Sequence, residues 1–417
     1  MKTKLFFSLL GMLFILQSCT KENCTQTYDG ITYMPVYAPM NTLRSINVQP
    51  AKAITSNGKI FIKGNDIFLN EVDKGFHIID NTNPAAPQRI LFVSVPGNLD
   101  MIAKGNYLFV DNYVDLLTFD ITNPAGIQLV KRSENALPFR QYNYGFADNA
   151  ANGIIVSFDK KVEKVEMDCS NNGFVRFDNG GLFLRSASVS PVKSLGGANG
   201  QAGSLSRFAM VANYLYVANR YSLTPIDITN AINPIVKPTA LQQLDEFETL
   251  YGFNNSLLAG GPTGMYILNL SNPAIPTLQG TFRHWRGCDP VVAQNNTAYV
   301  TVRGSGPCGG TRNFLDAIDI SNLDQPTLIK TYQLENPYGL GIFNNKLGVC
   351  DGAAGFKIFN ASNSSNLQLQ STVSSINAFD VIMNDERALL IAKDGMYQYN
   401  ISNSSNPILL SKISINP

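Results

Sequence analysis

A short apolar run that ends in Asp or Asn recurs along this chain. One copy reads Gly75-Phe-His-Ile-Ile-Asp80 and continues as Asn-Thr-Asn-Pro84; another ends at Asp120 and continues as Ile-Thr-Asn-Pro124. Seven copies are present, and the Asp or Asn stands at positions 80, 120, 227, 269, 319, 360 and 400. These positions lie 40 to 50 residues apart, except for the 107 residues between positions 120 and 227. A regular spacing in this range indicates a repeat architecture.

A second element precedes each run. It is a turn rich in Asn and Gly followed by a short apolar strand, as in Gly105-Asn-Tyr-Leu-Phe-Val and Asn344-Asn-Lys-Leu-Gly-Val. Asn and Gly tolerate the positive φ that two-residue hairpin turns require. The long interval contains one such turn, Asn152-Gly-Ile-Ile-Val-Ser, and then a strand-like segment from Lys161 to Met167. We therefore expect an eighth, degenerate unit there, with an insertion near residues 168–207.

Each unit divides into four short strands, and helical periodicity is almost absent. In the unit that starts near Tyr251, further strands are expected at Leu257-Leu-Ala, Met265-Tyr-Ile-Leu and Thr277-Leu-Gln-Gly. Four-stranded units at this period predict an all-β chain whose residues 51–417 form a single β-propeller of about eight blades. Seven blades plus an insertion is the alternative. A β-solenoid would need shorter repeats.

The polar residues that follow each apolar run are predicted to form turns. Asp, Ser and Thr side chains bond nearby backbone N–H groups at the end of a strand, and Pro favours a turn before the outer strand. The Asp120 to Asn123 segment therefore needs no ligand to explain it.

These units resemble LVIVD repeats, which occur in bacterial surface and periplasmic lipoproteins. The resemblance covers roughly Ser56 to Asn403 apart from the third unit. It is closest at four segments, which are Cys288-Asp-Pro-Val-Val, Tyr299-Val-Thr-Val-Arg303, Cys308-Gly-Gly and Asn336-Pro-Tyr-Gly-Leu-Gly341. The chain departs from the pattern where Asn replaces Asp, at positions 269, 360 and 400. The resemblance implies a propeller and an exported location, and it implies no catalytic residues.

The first 18 residues have the parts of an export signal. Lys2 and Lys4 precede an apolar stretch, Leu5 to Leu16, that is too short to span a bilayer. Leu16-Gln-Ser-Cys19 resembles a bacterial lipobox, which predicts that Cys19 carries lipid and anchors the chain to the membrane. A plain secretory signal is the alternative. We expect an outer-membrane lipoprotein, on the periplasmic side or at the cell surface, with residues 19–50 as an anchor linker and a candidate ring-closing strand.

Charge and composition exclude several kinds of function. The chain has 32 basic and 31 acidic residues and no basic stripe, so we expect no nucleic-acid partner. Its two histidines, His77 and His284, are too few for a His-rich metal site, and phosphate-binding and dinucleotide motifs are absent. We predict no metal, no cofactor and no catalytic residue. Carboxylate pairs for glycoside hydrolysis remain open, because a propeller brings such residues together from distant positions.

Strand order separates two faces of the predicted disc. One face collects the short turns, and the other collects the longer loops between second and third strands and the links between blades; functional residues usually lie on such loops. The densest recognition-type cluster on this loop-rich face is Arg283, His284, Trp285 and Arg286, with Arg303, Arg312 and Tyr338 nearby. The alternative is that Trp285 packs between blades. Arg140, Tyr144, Phe247 and Tyr251 are further candidates on this face.

Cys288 and Cys308 are also expected on the loop-rich face. Exported proteins retain disulfides, and a bond between these two residues would close a glycine-rich loop of about 20 residues. Two free thiols are the alternative.

Three functional hypotheses follow. The leading one is a non-enzymatic, lipid-anchored propeller that presents its loop-rich face to a protein or a saccharide. The second is a carbohydrate-active hydrolase or lyase on the same scaffold. The third is a structural subunit of an envelope complex.

Overall fold

A computed structural model describes residues 25–56, 58–142, 146–168, 175–178, 181–184, 205–239, 246–287, 290–304, 310–384 and 386–415. The export signal, Cys19, Tyr144, Cys288 and Cys308 lie outside these residues. The chain divides into two compact units, one drawn from residues 1–36 and 156–191 and the other from residues 37–155 and 192–417. None of the described helices is long and apolar enough to cross a membrane.

The smaller unit contains a four-stranded sheet. Strands are numbered along the chain, and this sheet has the order β11-β1-β13-β12, with β1 at Thr25–Ala38, β11 at Ile154–Asp168, β12 at Val175–Asp178 and β13 at Gly181–Leu184.

The described strands of the larger unit form seven antiparallel sheets, which are the blades of a β-propeller. The first two blades are β2 (Asn47–Pro50), β3 (Ile60–Lys63), β4 (Asp66–Glu71), β5 (Gly75–Asp80) and β6 (Gln88–Ser94), then β7 (Met101–Lys104), β8 (Tyr107–Asn112), β9 (Asp115–Asp120) and β10 (Gln128–Ser133). The third and fourth are β14 (Phe208–Val211), β15 (Tyr214–Asn219), β16 (Ser222–Asp227) and β17 (Ile235–Val236), then β18 (Thr249–Phe253), β19 (Ser256–Gly261), β20 (Gly264–Asn269) and β21 (Thr277–Arg283).

The remaining three blades follow the same order. They are β22 (Val291–Gln294), β23 (Thr297–Arg303), β24 (Asn313–Asp319) and β25 (Thr327–Gln333); β26 (Leu340–Phe343), β27 (Lys346–Cys350), β28 (Phe356–Asn360) and β29 (Gln368–Val373); and β30 (Ala378–Met383), β31 (Arg387–Ala392), β32 (Gly395–Asn400) and β33 (Ile408–Ser414). Short 3₁₀ helices lie at Met40–Leu43 and Pro124–Gly126. The first blade has a fifth strand, because β2 pairs with the outer strand β6.

The expectation of about eight blades was wrong, and the alternative of seven is the observed number. The segment after Asn152 forms β11 of the smaller sheet, so the third predicted unit is not a blade. The middle strands of a blade are covered on both sides by neighbouring blades and need apolar residues on both faces. In the segment Lys161-Val-Glu-Lys-Val-Glu only one residue in three is apolar, and Val162 is 70% exposed. The turn at Asn152 resembles the turns of the blades, so the turn alone could not show that the strand after it is not part of a blade.

Each hydrophobic core lies between two neighbouring blades. Phe76 and Ile78 of the first blade pack with Leu117 and Phe119 of the second. The same arrangement joins the last blade to the first, where Ile67 and Leu69 share a core with Leu389 and Ile391. Apolar burial therefore continues around the whole ring.

The structure confirms the predicted turns after the apolar runs. In each of the seven copies the Asp or Asn side chain accepts a hydrogen bond of 2.7 to 3.0 Å from the backbone N–H two residues later; Thr122 donates to Asp120 Oδ1 at 2.8 Å, for example. Asn269, Asn360 and Asn400 make the same contact as the aspartates, because an amide oxygen accepts as a carboxylate does. The substitutions in the pattern therefore preserve the turn.

The loops that follow these turns also join blades. The carbonyl oxygen of Pro273 accepts a 3.0 Å bond from the hydroxyl of Tyr216 in the preceding blade, and that of Ser404 accepts a 2.6 Å bond from Ser371 Oγ. The carbonyl of Ser364 accepts from the Tyr332 hydroxyl at 2.7 Å. The repeat motif thus positions an acceptor for the neighbouring blade as well as forming a turn.

Candidate functional site

Two segments of the loop-rich face carry most of the residues that the sequence singled out. One is the link that leaves β21 at Arg283 and leads toward β22, and the other is the connection between β23 and β24, which pair in register from Arg303 and Asn313. Antiparallel hairpins of this kind place the connection and the link at the same end of the blade. We call the surface formed by Tyr221, Arg283, Trp285, Arg286 and Arg312 the Trp285 patch.

Trp285 is 62% exposed and is not packed between blades. The guanidinium carbon of Arg312 lies 4.3 Å from the centre of the indole ring. A guanidinium over an aromatic face is a favourable contact that also orders the arginine. The structure therefore brings together one residue from the link and one from the β23–β24 connection.

Arg283 and His284 are held by the fourth blade. Arg283 Nη1 donates to Thr263 Oγ1 and to the Tyr266 hydroxyl, both at 3.0 Å, and its guanidinium carbon lies 5.5 Å from the Tyr266 ring. His284 is half-buried, and its Nδ1 lies 2.7 Å from the Trp285 carbonyl oxygen. Burial lowers the pKa of His284 below its ordinary value, which favours a neutral imidazole at neutral pH.

Arg303 and Tyr338 form a separate, inner pair. Arg303 is only 7% exposed, and its guanidinium carbon lies 4.0 Å from the centre of the Tyr338 ring. Thr301 Oγ1 donates a 2.6 Å bond to the Tyr338 carbonyl. This pair joins the fifth and sixth blades beneath the surface and does not belong to the Trp285 patch.

Three glycines allow close backbone approach here: Gly287 and Gly310 between the link and the connection, and Gly304 within the connection. A side chain at Gly287 would meet Val302 and Arg303, and one at Gly304 would meet the backbone of Arg312. Gly310 has a φ of +104°, and a side chain there would collide with the carbonyl oxygen of Arg286. The glycine content of this region therefore serves close packing. Cys288 and Cys308 fall outside the described residues, so their disulfide stays a prediction.

A third element adds Arg220, Tyr221 and Glu246, which the sequence had not singled out. Tyr221 is 43% exposed, its hydroxyl donates to Glu246 Oε1 at 2.9 Å, and Arg220 Nη2 lies 2.6 Å from the same oxygen. Burial raises the pKa of Tyr221, and the charges of Arg220 and Arg286 oppose this rise, which places Tyr221 within the electrostatic reach of the link. The sequence could have pointed to Arg220 and Tyr221, because they lie between the second and third strands of a blade. The other loops of this face lie at the same place in their blades.

A buried charge network lies where the first three blades begin their inner strands. Lys59 pairs with Asp100, whose Oδ2 also accepts from Ser206 Oγ at 3.0 Å and from two backbone N–H groups, those of residues 207 and 208. Asp111 Oδ1 accepts from Asn98 and from the N–H groups of residues 99 and 100, at 2.7 to 2.9 Å.

Three cations face these carboxylates. Besides Lys59, Arg140 pairs with Asp73 at 3.0 Å and with Asp111 at 3.4 Å, and Arg207 Nη2 lies 3.8 Å from Asp111 Oδ2. Burial lowers the pKa of Lys59, against the opposing charge of Asp100. Both carboxylates act as hydrogen-bond acceptors for many donors, which is an arrangement that stabilises the junction of blades. Among the described residues no three His, Cys, Asp or Glu side chains cluster as metal ligands.

Comparison with known families agrees with this architecture. The LVIVD repeat family model matches residues 99–134, 202–240 and 308–333. No curated protein matches the sequence.

Solved structures match the fold at low identity. A computationally designed protein, Ika8, is 8% identical, with 87% of this chain and 90% of that chain covered and a TM-score of 0.51. Sqt1 of Saccharomyces cerevisiae is 6% identical, with 92% and 89% covered and a TM-score of 0.53. At these identities the likeness concerns the fold alone. The chain therefore contains LVIVD repeats, and its described strands form a seven-bladed β-propeller.

Proposed function

We propose that this propeller is an exported, lipid-anchored interaction module that binds a protein or a saccharide at the cell envelope through the Trp285 patch. The observation that carries the proposal is the exposed indole of Trp285, 62% accessible and stacked with Arg312. Tryptophan and arginine are the side chains that most often dominate binding energy at interfaces. Covering the exposed face of the indole with a partner would remove apolar surface from water, which favours binding.

The non-catalytic part of the proposal is supported by the chemistry of the buried carboxylates. A general acid or base needs a carboxyl oxygen that a substrate can reach. Asp100 and Asp111 are 1% and 2% exposed, and fixed donors of the chain bond their oxygens. Asp100 and Asp111 therefore have a structural role, as hydrogen-bond acceptors that join neighbouring blades.

The lipid anchor is proposed on the Leu16-Gln-Ser-Cys19 sequence. With Cys19 acylated, the chain would be held at the outer membrane, on its periplasmic side or at the cell surface. In cells fed a labelled fatty acid, we expect the full chain to take up label and to sediment with membranes. The variant Cys19→Ala should lose both properties; a Cys19→Ala chain that remains labelled would contradict the anchor.

Site-specific photo-crosslinking tests the binding role. A benzoylphenylalanine in place of Trp285 should form a defined adduct with an envelope component, whereas the same probe in place of Leu328, an exposed residue on an outer strand, should not. Trp285→Ala should reduce binding of the component so identified by at least tenfold, as expected for an interface anchor worth about 2 kcal/mol. Equal adducts at both positions, or unchanged binding by Trp285→Ala, would refute this role for the patch.

A further inference from the structure

The region that forms the Trp285 patch is far more basic than the rest of the chain. Residues 283–312 contain no lysine, Asp289 as the one acidic residue, and four arginines, of which Arg283, Arg286 and Arg312 are exposed in the patch and Arg303 is buried beneath it. The whole chain is balanced, with 32 basic and 31 acidic residues. A local excess of one charge on a neutral protein favours a ligand of the opposite charge and speeds its association.

Two of the exposed arginines are held in place before any ligand binds. Arg312 stacks on Trp285, and Arg283 is bonded to Thr263 and Tyr266. At Arg286 the close approach of Gly310 fixes the backbone. Ordering a free arginine at an interface costs about 0.5–1.5 kcal/mol, so prior ordering favours binding. A guanidinium presents a planar fork of donors that matches a carboxylate.

The patch is poorly suited to a neutral saccharide. Sugar hydroxyl groups need acceptors as well as donors, and arginine, tryptophan and tyrosine rings supply mainly donors and apolar faces. Glu246, the carboxylate that contacts Tyr221 of the patch, is already bonded to Arg220 at 2.6 Å and to the Tyr221 hydroxyl at 2.9 Å. Aromatic rings beside arginine forks are typical of protein interfaces.

We infer that the partner of the Trp285 patch is a polypeptide segment rich in Asp and Glu, whose carboxylates bind the arginines while its backbone and apolar side chains cover the indole. This inference rests on the proposed binding function and specifies its ligand class. It predicts salt-sensitive binding, because the attraction between exposed charges is screened.

The single tryptophan makes the inference directly measurable. Trp285 is the chain's one tryptophan, so its emission reports on this patch alone. Titration with poly-L-glutamate should change the emission with a saturable curve, and the apparent Kd should rise as salt is increased. Arg312→Gln and Arg286→Gln should each weaken binding about tenfold, the effect expected for one lost charge-assisted contact. The matched control is Lys393→Gln, which removes an exposed cation from another blade on the same face and should leave the Kd unchanged.

Two further polymers decide the ligand class. Dextran, a neutral saccharide, should leave the emission unchanged, and polygalacturonate should bind more weakly than poly-L-glutamate. Tighter binding of polygalacturonate would overturn the polypeptide assignment in favour of an acidic saccharide, and binding of dextran would overturn the charge argument. A Lys393→Gln effect equal to that of Arg312→Gln would also overturn it.

The inference and the proposed function fail separately. A partner crosslinked at Trp285 whose contact segment lacks Asp and Glu, and whose binding ignores salt, would refute the acidic ligand and leave the binding function intact. Absence of any adduct at Trp285 would refute the function itself.

Discussion

Ser411, in the outer strand of the last blade, donates a 2.6 Å hydrogen bond from its Oγ to the carbonyl oxygen of Pro84 in the first blade. Ser371 makes the equivalent bond to Ser404, also at 2.6 Å, between the sixth and seventh blades. The side-chain amides of Asn81 and Gln398 add a reciprocal pair at 2.7 and 3.0 Å across the closing interface. The ring is thus closed by the same repeat contact that joins blades elsewhere, and each of the seven blades is built from consecutive strands.

This contact predicts the effect of a conservative change in the last strand. Ser411→Ala should lower the free energy of unfolding by about 1 kcal/mol, the typical net value of one hydrogen bond. Ser414→Ala, at an exposed position of the same strand, is the matched control and should have no effect. Urea denaturation of both variants measures the difference; equal midpoints for the two would contradict a role for the Ser411 bond in closure.

The repeat turns predict a loss of stability in acid. Hydrogen bonds from the hydroxyl and N–H groups of Thr82 and Thr122 lower the pKa values of Asp80 and Asp120, and residues 229 and 321 act likewise on Asp227 and Asp319. A carboxylate with a lowered folded pKa stabilises the fold above its unfolded pKa of about 3.9, and this contribution disappears as the pH falls through the folded value.

The test is to replace these four aspartates by asparagine, which keeps the turn bond and removes the titration. The quadruple variant should lose less stability than the wild type between pH 5 and pH 3 in urea denaturation. Asn360→Asp, the converse change in the sixth blade, should lose more. Acid profiles that coincide for all three proteins would contradict the assignment.

The close backbone contact between Gly310 and Arg286 can be tested by adding a side chain at Gly310. Its positive φ and its contact with the Arg286 carbonyl mean that Gly310→Ala should cost roughly 2–3 kcal/mol and shift the Trp285 emission. Gly64→Ala is the matched control, since Gly64 also has positive φ, of +59°, but open space around it. That variant should cost about 1 kcal/mol and leave the emission unchanged. Identical behaviour of the two variants would show that close packing at Gly310 is unimportant.

The predicted disulfide between Cys288 and Cys308 has a direct chemical test. Mass mapping without reductant should find the two residues in one linked peptide, and reduction should lower the free energy of unfolding by about 3 kcal/mol. The Cys288→Ala, Cys308→Ala double variant should be insensitive to reductant. Cys350 is buried and its thiol pKa is raised well above the ordinary value, so it should react only on unfolding. Two separate alkylated peptides from the native protein would rule the disulfide out.

The repeat sequence alone was sufficient to predict the propeller and its turns. An apolar run followed by Asp or Asn, and a bond from that side chain to the N–H two residues on, are local features that each copy specifies independently. The number of blades was harder to predict from the sequence. The turn at Asn152 resembles those of the true blades, and only the pairing of β11 with β1 shows that this segment is not a strand of a blade.

The candidate site was also predictable from the sequence only in part. Arg283, Trp285, Arg286 and Arg312 could be placed on the loop-rich face, because strand order alone separates the two ends of a blade. The stacking of Arg312 on Trp285 and the burial of Arg303 against Tyr338 could not be predicted, because they depend on how adjacent loops pack.

The sequence by itself therefore determined the repeating unit, its turns and the end of each blade on which the arginines lie, because these follow from hydrogen bonds and apolar patterns within a few residues. Only the tertiary structure decided the count of seven, the closing bond between Ser411 and Pro84, 327 residues apart, and the separation of exposed from buried arginines. These features arise from packing between blades, where each contact joins residues whose sequence separation carries no information about their distance.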